Sequence, residues 1–283
     1  MAVLCAMAAI LIWSSLATLG VSLAGIPPFL LIGGALLIGG LLSVPWAGQW
    51  NWRWSTIGNG CYGMLLYHLL FILALRSAPP VSANLVHYLW PMLIVLLSPL
   101  VLPGTQLRAM HIACAVMGFA GAALAITAGG VVGEFSWHWG YAFAVGAAFV
   151  WSTYSLALKR IGAATTADVG LACILSGCIA LALHAALEPA VDLQASQIAG
   201  IVALGIGPMG VAFYLWSYSL RQGDPRVIGV LGNATPVLST AMLVVTGKGT
   251  LSGALMSSAL LISAASILVL RRDTPDRQRH AVA

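Results

Sequence analysis

Only seven carboxylates occur in this 283-residue chain, and none of them stands in the middle of its long apolar runs. Glu134, Asp168, Glu188, Asp192, Asp224, Asp273 and Asp276 occupy connections, run ends or the C-terminal tail. An unbroken stretch of about twenty apolar residues, rising 1.5 Å per residue, matches the hydrocarbon thickness of a bilayer. Hydrophobic residues make up 60% of the chain and charged ones 7%, against about a quarter charged in soluble domains. No aqueous core of this length could hide that much apolar surface, so the chain reads as an all-α membrane protein. Cys5, Cys61, Cys114, Cys173 and Cys178 lie inside apolar runs without metal-type spacing and read as small buried hydrophobes.

With that ruler the sequence predicts ten spans, near 2–23, 27–44, 55–75, 80–102 and 107–128, then 137–158, 167–187, 198–220, 225–246 and 251–270. A short polar link, 129–136, separates the halves, and a basic tail, 271–283, is expected to lack fixed structure. The apolar run at Ala2 has no basic region before it and reads as a retained first span. Ten spans put Arg53, Arg108, Lys159, Arg160, Arg221, Arg226, Arg271, Arg272, Arg277 and Arg279 on one side, with only Arg76 and Lys248 on the other. That bias places both termini in the cytoplasm and leaves the net charge of +5 without meaning for nucleic acid. Trp46, Trp50, Trp52 and Trp54 in one connection, and Trp137 and Trp139 in another, suit the headgroup belt.

The chain also repeats itself. A shift of 145 positions lays Leu75, Arg76, Pro80 and Pro91 on Leu220, Arg221, Pro225 and Pro236, and Gly104-Thr105 on Gly249-Thr250. At a shift of 138, Ile12-Trp13-Ser14-Ser15 meets Val150-Trp151-Ser152-Thr153. Two units of five spans, 1–128 and 137–270, must lie inverted relative to each other, because five is odd. Such repeats place a small-molecule substrate near the bilayer midplane, between the copies, where helices are interrupted.

Pro91, Pro208 and Pro236 fall inside spans and mark those interruptions or hinges. Asn84, His87, Tyr88 and Pro91 share one helical face, and Gly229, Gly232, Asn233 and Pro236 share the related face of the ninth span. The first face would supply hydrogen bonds and the second would supply room; helix-to-helix hydrogen bonding and close packing are the competing explanation. Trp13 and Trp151 sit too deep for anchors, and with His68, Tyr154 and Tyr214 they complete a candidate cavity wall. His68 and His87 are the only mid-depth groups that titrate near neutral pH. The absence of a mid-depth carboxylate leans towards uniport or exchange, with histidine-coupled proton antiport open. No nucleotide-binding loop, metal set or cofactor motif occurs.

Ten short spans, two five-span repeats and Ile-Trp-Ser-Ser in the first span resemble the drug/metabolite transporter superfamily, in its ten-span exporter (EamA-type) branch. Val86-His87-Tyr88-Leu89-Trp90-Pro91 resembles the Tyr-Leu-Trp-Pro segment of bacterial inner-membrane aromatic amino acid exporters, which brings Trp90 into the candidate substrate-binding set. Asn233-Ala234-Thr235-Pro236-Val237-Leu238-Ser239 is similar to their Thr-Pro-Val-Leu-Ser segment. Tyr67 has a counterpart in them, but its neighbour there is a carboxylate where this chain has His68. The resemblance implies export of phenylalanine, tyrosine, tryptophan and other neutral amino acids from the bacterial cytoplasm through the inner membrane, by alternating access. An exporter of other metabolites or lipophilic drugs is the alternative. An intramembrane enzyme is a second, though neither Gly-x-Ser-x-Gly nor His-Glu-x-x-His is present. Partners are then the amino acid and the lipid bilayer, with oligomeric state open and a monomer among the options.

Overall fold

The computed structural model describes residues 1–16, 19, 23, 25–128, 138–161, 165–245 and 252–280, and every regular element among them is helical. In chain order these are α1 (Ala2–Ser14), α2 (Pro28–Leu41), α3 (Trp54–Cys61), α4 (Tyr67–Ser77), α5 (Pro80–His87), α6 (Trp90–Val101) and α7 (Ala109–Ala128). They continue with α8 (Trp139–Arg160), α9 (Asp168–Leu187), α10 (Ala195–Ile206), α11 (Ala212–Gln222), α12 (Pro225–Gly232), α13 (Ala234–Val245) and α14 (Gly253–His280). Among the described residues, six helical stretches are long and apolar enough to cross a membrane: Trp54–Ser77, Ser82–Val101, Trp139–Arg160, Asp168–Leu187, Ala195–Gln222 and Gly253–Arg271. Their outward surface is apolar, with Leu73, Leu100, Ile198 and Leu260 exposed, as a lipid-facing surface requires. The 129–136 link, Trp137 and the Gly249-Thr250 match lie outside the described residues.

The helix interruptions recur with the sequence repeat. A π-helical turn, Tyr62–Leu66, joins α3 to α4, and the 145-residue shift carries it onto the π-helical turn Gly207–Val211 that joins α10 to α11. The same shift carries the break at Tyr88–Leu89, between α5 and α6, onto the break at Asn233, between α12 and α13. Pro91 and Pro236 therefore do not kink continuous helices. Each stands in the first turn of a new helix, where a missing N–H has no partner to lose. A proline ring also denies a hydrogen bond to the carbonyl four residues earlier. Thr235 Oγ1 donates to the Gly232 carbonyl at 2.9 Å and so covers the one Pro236 displaces. Ser98 Oγ does the same for Val95 at 2.7 Å, ahead of Pro99 within α6.

Packing follows the same exchange of halves. α4 packs on α8 as α11 packs on α1, α6 on α8 as α13 on α1, and α10 on α2 as α3 on α9. α2 lies along α9 at backbone distance, since a Cβ on Gly40 would stand 2.6 Å from Ile174 Cγ1 and one on Gly177 2.8 Å from the Leu37 nitrogen. The ends of α9 fasten this pair. At one end the buried Glu188 carboxylate accepts the Phe29 and Leu30 amides at the start of α2, and contacts His184 and Arg76. At the other end Asp168 accepts the Asn51 amide at 2.6 Å and the Thr165 amide.

Two local expectations are revised. The tail is helical to His280 as a continuation of α14, despite Pro275 within it, because extending an existing helix is easier than nucleating one. The face of Gly229 and Gly232 is not open space. A Cβ on Gly232 would meet Trp90 at 2.6 Å and one on Gly229 the Pro91 carbonyl at 3.0 Å, so these glycines seat α6 against α12.

Candidate functional site

Trp13 stands at the centre of a cluster of rings. Its indole contacts four other rings edge-on or tilted: Trp216 at 5.1 Å between centroids, Trp151 at 5.8 Å, Phe213 at 6.1 Å and Trp90 at 6.4 Å. These are favourable aromatic geometries. The Trp13 indole N–H donates to the Pro208 carbonyl at 3.0 Å, inside the π-helical turn where the regular ladder is offset. Trp151, the repeat-related ring, continues the cluster to Tyr67 at 5.0 Å, Tyr154 at 5.5 Å and Phe213 at 5.6 Å. Ser152, next to it, lies within hydrogen-bonding distance of the Trp90 carbonyl at 2.9 Å and holds α8 to the start of α6.

Beside this cluster opens a cavity of about 110 Å³. Aromatic rings line it from both halves: Trp13, Tyr67, Tyr88 and Trp90 from the first, Trp151 and Phe213 from the second. Leu16, Pro208, Met209 and Thr235 complete the apolar part, and His68 and His87 bring nitrogen. Among the described residues, no lysine, arginine, aspartate or glutamate lines it. His68 Nδ1 donates to the Met64 carbonyl one turn back, which leaves Nε2 as the acceptor of a neutral ring. His87 packs among rings, 4.5 Å from Phe71, 5.5 Å from Tyr67 and 6.0 Å from Tyr88. An aromatic enclosure with few polar groups suits a flat apolar ligand that carries a small polar end.

Of the residues singled out from sequence, the structure brings Trp13, His68, His87, Tyr88, Trp90, Trp151 and Pro208 together around this cavity. It places the others elsewhere. Asn84 is half-buried on α5, outside the lining. Tyr154 is buried behind Trp151, over Gly63, and lines a smaller cavity with Thr56, Asn59, Thr165 and Asp168. Tyr214 turns away, its hydroxyl donating to the Gly39 carbonyl at 2.8 Å. Asn233 is fully buried at the α12–α13 break, donating to the Val230 carbonyl and packing against Gly118 of α7. Pro91 is buried beside Gly229 and Gly232, and Pro236 follows Thr235 in the first turn of α13. Sequence reasoning left Leu16, Tyr67, Met209, Phe213 and Thr235 out of the candidate set. Two of them carried a signal: Tyr67 through its counterpart in the exporters the chain resembles, and Thr235 as the hydroxyl that precedes a span-interrupting proline.

With this geometry in hand, comparison with known proteins gives a consistent picture. A family model described as the EamA-like transporter family matches residues 1–127 and 138–271. The aromatic amino acid exporter YddG of Ancylobacter novellus is 41% identical over 272 residues, which cover 93% of this chain and 94% of that protein. A solved crystal structure superposes with a TM-score of 0.89 at 39% identity, covering 95% of this chain and 96% of its own.

Proposed function

We propose that this protein, which belongs to the EamA-like transporter family, exports aromatic and other bulky neutral amino acids by alternating access through the aromatic cavity. Family membership makes it a multi-pass membrane transporter and not an enzyme. The observation that carries the substrate reading is the cavity itself, walled by indole, phenol and phenyl rings from both halves and, among the described residues, lined by no charged side chain. Such walls stack on a flat side chain and attract a neighbouring ammonium group. The exporter activity named for the Ancylobacter novellus relative supports the same class.

The architecture we propose is ten spans in two inverted units, 1–128 and 137–270, with both termini in the cytoplasm of a bacterium and the chain in its inner membrane. The two stretches matched by the family model, the π-helical turns and helix breaks related by 145 residues, and the exchanged helix pairings all support it. Alternating access then consists of one unit rocking against the other, with Trp13 and Trp151 as repeat-related walls. Among the described residues no carboxylate lines the cavity, which favours uniport or exchange, with proton antiport through His68 and His87 the alternative. Overproduction in bacteria tests the substrate class. Cells carrying the protein should withstand a toxic phenylalanine analogue that stops control cells, and should release labelled phenylalanine faster. Equal sensitivity and equal release, with the protein present in the membrane, would count against amino acid export.

A further inference from the structure

The polar end of a substrate needs its own account, because an amino acid is a zwitterion and no charged side chain lines the cavity among the described residues. His87 is 6% exposed, lines the cavity, and among the described residues has no hydrogen-bond partner at either Nδ1 or Nε2. A buried polar atom without a partner lowers stability, and two on one ring invite an explanation. Its ring neighbours Phe71, Tyr67 and Tyr88 hold the imidazole by packing and leave both nitrogens unengaged.

Resting on the amino acid reading above, we infer that His87, with His68, recognises the zwitterionic head of the substrate, so that the cavity selects molecules bearing both an ammonium and a carboxylate. A neutral imidazole offers one N–H donor and one bare nitrogen acceptor. The donor suits a carboxylate oxygen and the acceptor suits an ammonium proton. His68 adds a second acceptor, since its Nδ1–H is committed to the Met64 carbonyl and its Nε2 is free to accept. A molecule with only an ammonium or only a carboxylate would bring an unbalanced charge into a cavity whose walls cannot neutralise it. A zwitterion brings none, and meets a matched donor and acceptor. The aromatic walls then hold the side chain, and the histidines read the part common to every amino acid.

Counterflow of labelled tryptophan in proteoliposomes, with unlabelled competitors, tests this. The competitors are tryptophan, tryptamine, which lacks the carboxylate, and indole-3-propionate, which lacks the ammonium. For the unaltered protein, tryptophan should compete at least about tenfold better than either analogue, the worth of one charge-assisted hydrogen bond. His87→Phe keeps a flat ring but removes both nitrogens. It should weaken tryptophan about tenfold and leave the analogues nearly unchanged, so that discrimination collapses. His87→Gln, which keeps a donor and an acceptor, should retain part of it. Tryptamine or indole-3-propionate competing as well as tryptophan against the unaltered protein overturns the inference, whatever the variants do. So does full discrimination in a folded His87→Phe protein. If the unaltered protein moves no tryptophan at all, the substrate reading itself fails and this inference fails with it. If it moves tryptophan without discrimination, only this inference fails.

Discussion

Replacing Glu188 by alanine should loosen the α2–α9 pair more than any other single charge removal in the connections. Its side chain is 5% exposed, and both carboxylate oxygens are engaged. They accept the Phe29 amide at 3.1 Å, the Leu30 amide at 3.3 Å and the His184 ring at 3.0 Å. Arg76, at 3.5 Å and half exposed, adds little. Alanine strands two first-turn amides of α2 and removes the negative charge that complements its helix dipole. A buried donor left without an acceptor costs roughly 1–3 kcal/mol, and the dipole interaction up to about 1 kcal/mol. Because α2 is only half-buried there, the total is about 2–4 kcal/mol. At roughly 2–4 °C per kcal/mol, thermal unfolding in detergent should fall by about 5–10 °C. Glu188→Gln keeps one accepting oxygen and should lose about half as much. A midpoint within 1 °C of the unaltered protein for alanine, or a larger loss for glutamine than for alanine, would refute the clamp.

Three more outcomes can be measured. A Cβ on Gly63 would stand 2.2 Å from the Tyr154 ring, so Gly63→Ala should destabilise by about 1–3 kcal/mol. Combining it with Tyr154→Ala should recover part of that loss in a double-mutant cycle, whereas simple additivity would contradict the contact. In the α11–α12 connection, burial pulls the Asp224 carboxyl up but the Arg226 guanidinium and amide outweigh it, leaving it below the ordinary carboxylate value. Its contribution is therefore present above the usual carboxylate range and lost as pH falls through the depressed value, so acid unfolding should be less steep in Asp224→Asn. For topology, single cysteines at Asp192 and Gln106, both exposed, should behave oppositely in a background without native cysteines. An impermeant maleimide should label the first in intact cells and the second only after permeabilisation; labelling of both from outside would break the inverted arrangement.

Apolar helical stretches and their interruptions were legible because the bilayer imposes a length and proline imposes a backbone cost, and both leave marks in sequence. The paired proline-bearing segments located the breaks to within one turn, but proline loses its bond to, and clashes with, the carbonyl four residues earlier, so the breaks fall in the preceding turn, at Tyr88–Leu89 and Asn233, instead of at Pro91 and Pro236. The cavity was half legible. Buried indoles and histidines announce themselves in an apolar run, so Trp13, Trp151, His68 and His87 were recoverable. Which face of a fully apolar helix points inward is not, because lipid and core demand the same residues. That is why Phe213 and Met209 were invisible. Tyr214, marked by its hydroxyl, spends it on the Gly39 carbonyl; the π-helical turn ahead of it also shifts the helical phase that face counting relies on. Asn84, counted on one face with His87, lies on the same helix but half-buried and outside the lining.

The central claim, an aromatic cavity that carries aromatic amino acids across the bilayer, is tested most directly by counterflow. Purified protein in liposomes preloaded with unlabelled tryptophan should accumulate labelled tryptophan transiently, without an imposed pH gradient, and Trp13→Ala together with Trp151→Ala should abolish the overshoot while the protein stays folded. Liposomes with folded, unaltered protein that accumulate no more label than protein-free vesicles would contradict it.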